Sequence, residues 1–369
     1  MINIMEVCGT HTMAIARAGI KRMLPEGVSL LSGPGCPVCV TSAGTIDAFL
    51  RLAENKNVII TTYGDMIRVP GTDTSLREMM ARGSDVRIVY SPMDSLKIAR
   101  ENPGKEVVFL GVGFETTAPG TAATIRAAGE NGIKNFSVFS MLKKVEPALR
   151  ALIAQEDFNA MQPENSSNLS LGQLSDSRVS GQLRVDAFLC PGHVATIIGE
   201  KGFRFLTDEY KIPAVIAGFE PVEILDAIKV LLKQLKYKMV MEGGSGQNGI
   251  CLVNAYKRAV SENGNEMAIK MMDEYFGPCD AEWRGLGLIK ESGFKIKNDF
   301  KEFDAAEKFG IEIKEPEEKS PCRCGDVICG RLHPSECPMF GKVCTPEEPL
   351  GPCMVSSEGT CASYYRYSV

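Results

Sequence analysis

The sequence predicts an α/β protein: two Rossmann-like parallel-sheet domains facing a cleft, followed by a loop-rich C-terminal domain suited to an iron–sulfur cluster. Three observations predict it. Over the first two thirds of the 369 residues, short apolar stretches alternate with helical ones. That is the pattern of parallel strands covered by helices on both faces. Several strands run into polar or Gly-rich loops, on the sheet edge where such folds bind ligands. Finally, 7 of the 13 cysteines crowd the last 48 residues, a stretch with little core of its own.

The elements follow in order. "INIMEVC" reads as the first strand and "HTMAIARAGIKRML" as the helix after it. "VSLLSG" is a strand, "AGTIDAFLRLAENK" a helix and "NVIITTY" the next strand. "DVRIVYS" is a strand, and "PMDSLKIARENP" a helix with Pro92 in its first turn, where a missing N–H costs nothing. "EVVFLGVG", "NFSVFSM", "VDAFLC" and "PAVIAGF" are further apolar strands, each followed by a helical pattern. These units are too many for one small sheet. A boundary is placed at Asn102-Pro103-Gly104, giving one α/β domain over 1–104 and a second over 105–238. Residues 160–182, rich in Ser, Asn and Gln, read as a mobile surface loop. Beyond "LLKQLKYKMVMEGGSGQNG" the third domain, 239–369, is expected to be helix plus irregular chain. A charged lead-in, "FKEFDAAEKFGIEIKEPEEKSP", precedes the tail, where residues 333–353 carry 5 prolines.

Composition excludes several classes. An apolar share of 44% and a charged share of 24% are ordinary for a globular protein with enough core to fold without staples. A net charge of -5 argues against broad nucleic-acid binding, which needs a basic face. No apolar run reaches the roughly 18–20 residues that span a bilayer. "MINIMEVCGTHTMA" lacks the parts of a signal peptide, so the protein is expected in the cytoplasm. There thiols stay reduced, and so many cysteines point to metal binding or redox chemistry rather than to a disulfide framework.

The strand-end loops carry the candidate chemistry. They are "VCGTHT" with Cys8 and His11, "GPGCPVC" with Cys36 and Cys39, "TTYGDM" with Asp65, "GFETT" with Glu115, Thr116 and Thr117, "CPGHV" with Cys190 and His193, and "GFEP" with Glu220. Cys8 ends a strand and precedes a helix, whose N-terminus favours thiolate. His11, one turn on, is a candidate ligand or proton acceptor; the plainer reading is a buried cysteine beside a capping Thr. Cys36 and Cys39 form a C-x-x-C after a strand, as in thioredoxin-like dithiols. A zinc knuckle would need a second pair close by, and two packed thiols are the third option. His193, Glu115 and Glu220 are candidate proton donors or ligand holders, with helix capping the alternative for His193. In the tail, "CRCGDVICG", "SECPMFGKVC" and "GPCMVSSEGTC" supply thiols at a density that selects iron–sulfur or zinc. The C-x-C spacing is unlike a zinc ribbon, so a Cys-ligated 4Fe–4S cluster is the first choice and structural zinc the second.

Together "IMEVCGTHTMAI", "GPGCPVCV", "VRIVYSPMDSLKIA", "FLGVGFETTAP", "PGHV", "AGFEP", "EWRGLG" and "CPMFGKVC…GPCMVSSEGTCASYY" closely resemble the HypD family of nickel–iron hydrogenase maturation proteins, almost end to end. The resemblance implies a scaffold that works with the small chaperone HypC. On it the active-site iron gains two cyanides and one carbon monoxide, the cyanide delivered by HypE as a thiocyanate. It implies two α/β domains around a cleft and a third holding a 4Fe–4S cluster. By matching motifs it makes Cys8 the iron ligand, Cys36 and Cys39 a cleft dithiol, and Cys324, Cys337, Cys344 and Cys361 the cluster ligands. Cys322 and Cys353 remain as a possible second dithiol beside the cluster, with electrons passing from cluster to dithiols to the bound iron.

The chain departs from the family pattern in a shorter lead-in before the first strand and a longer loop at 160–182. Neither touches a motif. Whether such a chain is an enzyme, with a redox or ligand-transfer role, is left open by the sequence. Two other classes compete: a stand-alone iron–sulfur thiol–disulfide oxidoreductase, and a passive metallochaperone whose cluster only braces the tail.

Overall fold

The computed structural model describes residues 1–160, 185–241, 249–316 and 320–367. Apart from Ala160, the polar stretch 160–182 lies outside the described residues. Eleven strands form three sheets among the described residues. The first contains β1 (Ile2–Glu6), β2 (Val28–Ser32), β7 (Ala187–Pro191), β8 (Ala214–Ala217) and β9 (Leu252–Asn254), in the order β2-β1-β7-β8-β9. The second contains β3 (Val58–Thr62), β4 (Asp85–Ile88), β5 (Glu106–Gly113) and β6 (Phe136–Leu142), in the order β4-β3-β5-β6. Every pairing in these two sheets is parallel. The third is an antiparallel hairpin of β10 (Phe276–Trp283) and β11 (Gly287–Ile296).

The alternation of apolar strands with helices therefore folds as expected. Strands β3, β7 and β8 are buried along their whole length, which is why they read as unbroken apolar runs. Each fully buried Val, Ile or Leu contributes on the order of 1.5–3 kcal/mol.

The domain boundaries are corrected. Strands β3 and β4 precede residue 104, yet Ile59 pairs with Val107 and Thr61 with Phe109 of β5. Strands β1 and β2 instead share a sheet with β7 to β9. The chain starts in one sheet, builds the whole of the other over 58–142, and returns. Asn102-Pro103-Gly104 is a tight helix-to-strand turn. The Asn135 side-chain amide donates to the carbonyls of Ala99, Asn102 and Lys105 at 2.9, 3.1 and 2.9 Å and clamps that turn onto the second sheet. The boundary at 238 also fails, because the helix Pro221–Met241 runs through it and β9 beyond it joins the first sheet. The expectation of helix plus irregular chain after 239 missed the β10–β11 hairpin.

The expected helix at 11–24 is shorter. It spans Gly9–Arg17, and Gly19, at φ 64°, separates it from a 3-10 turn, Ile20–Met23. In the tail, helices Cys324–Ile328, Pro352–Val355 and Thr360–Tyr367 are joined by irregular chain. The tail is not a separate core. Cys324, Cys329, Cys344, Cys353 and Cys361 share one apolar cluster with Cys36, Cys39, Trp283 and residues of both parallel sheets. No helix among the described residues is long and apolar enough to cross a membrane.

Candidate functional site

Strand β1 ends at Glu6, and Cys8 is the extended N-cap residue of the helix Gly9–Arg17. Its carbonyl accepts from Thr12 N–H at 3.0 Å. The backbone N–H groups of His11 and Thr10 and the Thr10 hydroxyl favour negative charge on its sulfur. The helix N-terminus thus favours thiolate as expected, but burial outweighs it. Cys8 is buried, and burial, aided by the nearby Glu358 carboxylate, pushes the thiol up to about 12. Behind Cys8 lies Glu6, also buried. It accepts from Cys8 N–H at 3.3 Å and from the Thr12 hydroxyl at 2.5 Å. Burial raises its carboxyl to about 8 despite these donors and the charge of Lys21.

Strand β2 lies beside β1, and the "GPGCPVC" loop folds back onto Cys8. Gly33 N–H donates to Glu6 O at 2.8 Å, and Gly9 N–H to Gly35 O at 3.1 Å. A Cβ at Gly35 would stand 2.5 Å from the Cys8 nitrogen, so only glycine allows the two backbones to meet. Cys36, the next residue, is joined to Cys39 by a disulfide, with Cα atoms 5.2 Å apart. Both are buried.

On the other side of β1, β7 and β8 supply the next two loops. His11 is fully buried and its Nε2 lies 2.9 Å from Gly218 O. A carbonyl only accepts, so Nε2 carries the proton and Nδ1 is left as an acceptor. Nδ1 has no hydrogen-bond partner among the described residues. Burial lowers His11 to about 4, so it is neutral at pH 7. Phe219 stacks between the two histidines, 4.6 Å from the His11 ring and 3.9 Å from that of His193. His193 is exposed at the surface of this group, and partial burial still lowers its pKa. Glu220 is exposed and its N–H donates to Glu223. Cys190 is a buried thiol inside β7, pushed far up by burial.

The cysteine-rich tail reaches this site. The Thr10 hydroxyl donates to Glu358 Oε1 at 2.6 Å, and a Cβ on Gly9 would stand 2.5 Å from that of Glu358. Ser356 Oγ and Ser357 N–H both lie 3.3 Å from Asp65 Oδ2, at the end of β3. The segment 356–358 therefore spans from the "GDM" loop of the second sheet to the Cys8 loop of the first. Sequence reading missed Glu358, since "SSEGT" carries no spacing that ties a carboxylate to a cysteine 350 positions away.

Glu115, after β5, is buried. Its Oε1 accepts from Val145 N–H at 2.9 Å, its Oε2 has no partner among the described residues, and burial raises it to about 7. The preceding Phe114 stacks on Trp283, with centroids 6.0 Å apart. Trp283 in turn bridges Thr41, and Arg284 N–H donates to Val40 O at 2.9 Å. The "EWRGLG" turn thus rests on the chain that leaves Cys39.

The tail thiols form one group. Cys322 Sγ accepts from Cys324 N–H at 3.4 Å, Cys344 Sγ from Leu350 N–H at 3.4 Å, and Cys353 Sγ from Cys361 N–H at 3.3 Å. Burial first, and then the neighbouring thiols Cys337, Cys324 and Cys353, push Cys344 up; Cys353, Cys324 and Cys322 act on Cys361 in the same sense. A hydrogen bond from the Cys322 thiol, assisted by Arg284, holds Cys324 below the usual thiol range. Its partner Cys322 is pushed far up, as is Cys361 by its bond with Cys353. The Cys329 thiol donates to Gly285 O at 3.6 Å. Among the described residues no three His, Cys, Asp or Glu side chains converge on a single ion. The donor set is all thiol and mostly buried, which suits a cluster that places bridging sulfides between its ligands.

The hydrogenase formation family model, HypD, matches residues 1–368. A hydrogenase maturation factor of Bradyrhizobium diazoefficiens is 42% identical over 366 residues, covering 98% of this chain and 88% of the relative. HypD of Rhodobacter capsulatus is 40% identical over 371 residues, and HypD of Escherichia coli 41% over 369; each match covers 99% of this chain and 89% of the relative. A match of this length and identity places the chain in the HypD family of hydrogenase maturation factors.

Proposed function

We propose that this maturation factor is a scaffold on which iron is held by Cys8 while it gains the cyanide and carbon monoxide ligands of the nickel–iron site. The iron is cargo. A small HypC-type chaperone shares it, and a HypE-type partner delivers cyanide, with the loops of the two sheets enclosing the site as a cleft. The single observation that carries this reading is the meeting of three elements at Cys8. Gly35 lays the Cys36–Cys39 turn on its backbone, and Glu358 brings the cysteine-rich tail to its helix.

This chain's residues act on that cargo in definable ways. Cys8 is neutral when no cation is present, because burial and Glu358 oppose its ionisation. An arriving iron cation offsets both effects, so the thiol loses its proton as the sulfur–iron bond forms. The Glu358 carboxylate then favours the cation it faces. Soft thiolate is the ligand type suited to such iron. The protonated Nε2 of His11 holds Gly218, so the "GFEP" loop is fixed against the Cys8 helix. Opening the Cys36–Cys39 disulfide takes two electrons and two protons and leaves two thiols. In the tail, Cys324, Cys337, Cys344 and Cys361 would hold a 4Fe–4S cluster, which when bound supplies single electrons. Cys322 and Cys353 are free thiols beside Cys324 and Cys361, available as a second dithiol.

The test is complementation. In cells lacking their own HypD, the unaltered chain is expected to restore nickel–iron hydrogenase activity, and Cys8→Ala to restore none. Full activity with Cys8→Ala would remove Cys8 as the iron ligand. The Cys36–Cys39 disulfide also favours a second reading, a stand-alone thiol–disulfide oxidoreductase. Catalytic turnover of a disulfide substrate by the isolated chain would support that reading.

A further inference from the structure

Cys8 is 6% exposed, yet in the scaffold reading it meets both its cargo and a second protein. Part of its cover belongs to the first sheet and is tied by main-chain bonds. Val7 N–H donates to Leu189 O at 3.1 Å, Gly33 N–H to Glu6 O at 2.8 Å and Gly9 N–H to Gly35 O at 3.1 Å. The segment 356–358 is a different kind of cover. It lies on the start of the helix beside Cys8, where a Cβ on Gly9 would stand 2.5 Å from that of Glu358. Among the described residues its bonds to the two sheets each run through a side chain. The Thr10 hydroxyl donates to Glu358 Oε1 at 2.6 Å, and Asp65 Oδ2 accepts from Ser356 Oγ and Ser357 N–H, each at 3.3 Å. The ends of the segment are anchored. Pro352–Val355 before it is buried, and so are Thr360 to Tyr364 after it. Lys21 lies 4.6 Å from the centre of the Tyr364 ring and donates to Leu30 O of β2 at 2.8 Å, which ties the second anchor to the first sheet. The anchors meet where Cys361 N–H donates to Cys353 Sγ at 3.3 Å, and Gly359 packs where a Cβ would collide with the Cys353 carbonyl. Between them the segment closes on itself, with Gly359 N–H donating to Ser356 O at 2.9 Å and Glu358 N–H to Ser356 Oγ at 3.3 Å. Ser356, Ser357 and Glu358 carry no apolar side chain, so lifting the segment exposes little apolar surface and breaks polar bonds.

We propose that the segment 356–358 is a gate over Cys8, and that Asp65 is the positioning residue that latches it. With the latch made, Glu358 rests on Gly9 and Cys8 is covered. With the latch released, the segment swings on its two anchors, and Cys8 opens to the cargo and to the chaperone that shares it. Asp65 stands at the end of β3, on the second sheet, while Thr10 and Cys8 belong to the first. The latch therefore closes only when both sheets hold their places around the tail. What passes the gate rests on the scaffold reading. The gate itself is a property of this chain without cargo.

The test is pulsed alkylation with iodoacetamide of the anaerobically purified, iron-free full chain, read by peptide mass spectrometry at one fixed pH. Amide hydrogen exchange over 356–359 is followed in the same samples. The unaltered protein is compared with Asp65→Ala and Ser356→Ala. In Asp65→Ala, which loses two bonds to a carboxylate, Cys8 is expected to react about tenfold faster. Ser356→Ala loses one of them and is expected to react severalfold faster. Exchange over 356–359 rises with the Cys8 rate in both. Cys190, buried inside β7, is expected to keep the parent's rate, because the fold itself has not loosened. An unchanged Cys8 rate with unchanged exchange overturns the inference. So does an equal acceleration of Cys8 and Cys190, which reports a loosened fold rather than a gate. If Asp65→Ala does not fold, Ser356→Ala decides alone. Full hydrogenase activity with Cys8→Ala would overturn the scaffold reading instead, and leave the alkylation result standing.

Discussion

Burial and the Glu358 carboxylate together keep Cys8 protonated at neutral pH, even though a helix N-terminus points donors at it. Replacing Glu358 by Gln removes one of the two opposing effects. Alkylation of Cys8 in iron-free protein at a fixed pH above 8 is therefore expected to run severalfold faster in Glu358→Gln, as read by peptide mass spectrometry. An equal or slower rate would show that Glu358 does not act on this thiol. Glu6 behaves in the opposite sense to a paired surface carboxylate. Its folded value, about 8, lies above its unfolded one, so the folded state retains a proton that the unfolded chain releases. The stability it contributes is full below the unfolded pKa and is lost as pH rises toward 8, at about 1.4 kcal/mol per unit of difference. Glu6→Gln is expected to flatten this part of the profile of melting temperature between pH 5 and 8. A profile as steep as the parent's would remove Glu6 as its cause. The placement of Cys8 and His11 just after β1, and of Cys36 and Cys39 just after β2, is legible in the sequence, because each pair stands at the end of an apolar run. The ionisation of Cys8 and His11 is not, since it depends on how deeply the folded chain buries them.

At the scale of elements, glycine decides what can meet. The strands from "INIMEVC" to "PAVIAGF" were readable from apolar runs, and their helices from the stretches between them. The close approach of Gly35 to Cys8 was not readable, because a glycine in a turn-forming sequence looks the same whether or not a second backbone lies on it. Gly35→Ala would drive a Cβ into the Cys8 backbone, and is expected to cost on the order of 1–3 kcal/mol in urea unfolding. A cost below the error of the measurement would mean that the loop can move away freely. The β10–β11 hairpin was also missed. Its strands mix exposed and buried positions without strict alternation, as Phe276–Trp283 shows, and a bulge between Cys279 and Ala281 breaks the register.

At the scale of the whole molecule, the chain leaves one sheet to build the other and then returns to it. Local periodicity finds strands but not their partners, and so the turn Asn102-Pro103-Gly104 reads as a boundary. A chain cut after residue 104 separates β3 from β5, and fragments 1–104 and 105–369 expressed singly are expected to be unfolded by circular dichroism. A folded 1–104 fragment would contradict the interleaved topology. The same interleaving lets the tail touch both sheets, through Asp65 on one and Thr10 on the other. Cysteine-rich tail, Cys36–Cys39 turn and Cys8 are thus parts of one packed body rather than of three independent modules. The measurement that tests the central claim most directly is infrared spectroscopy of the anaerobically purified chain, co-expressed with a HypC-type chaperone, against its Cys8→Ala variant. Cyanide and carbon monoxide stretches absorb where protein does not. Bands present with the unaltered chain and absent in Cys8→Ala are the expected result; bands of equal strength in both would contradict the assignment of Cys8 as the residue that holds the iron.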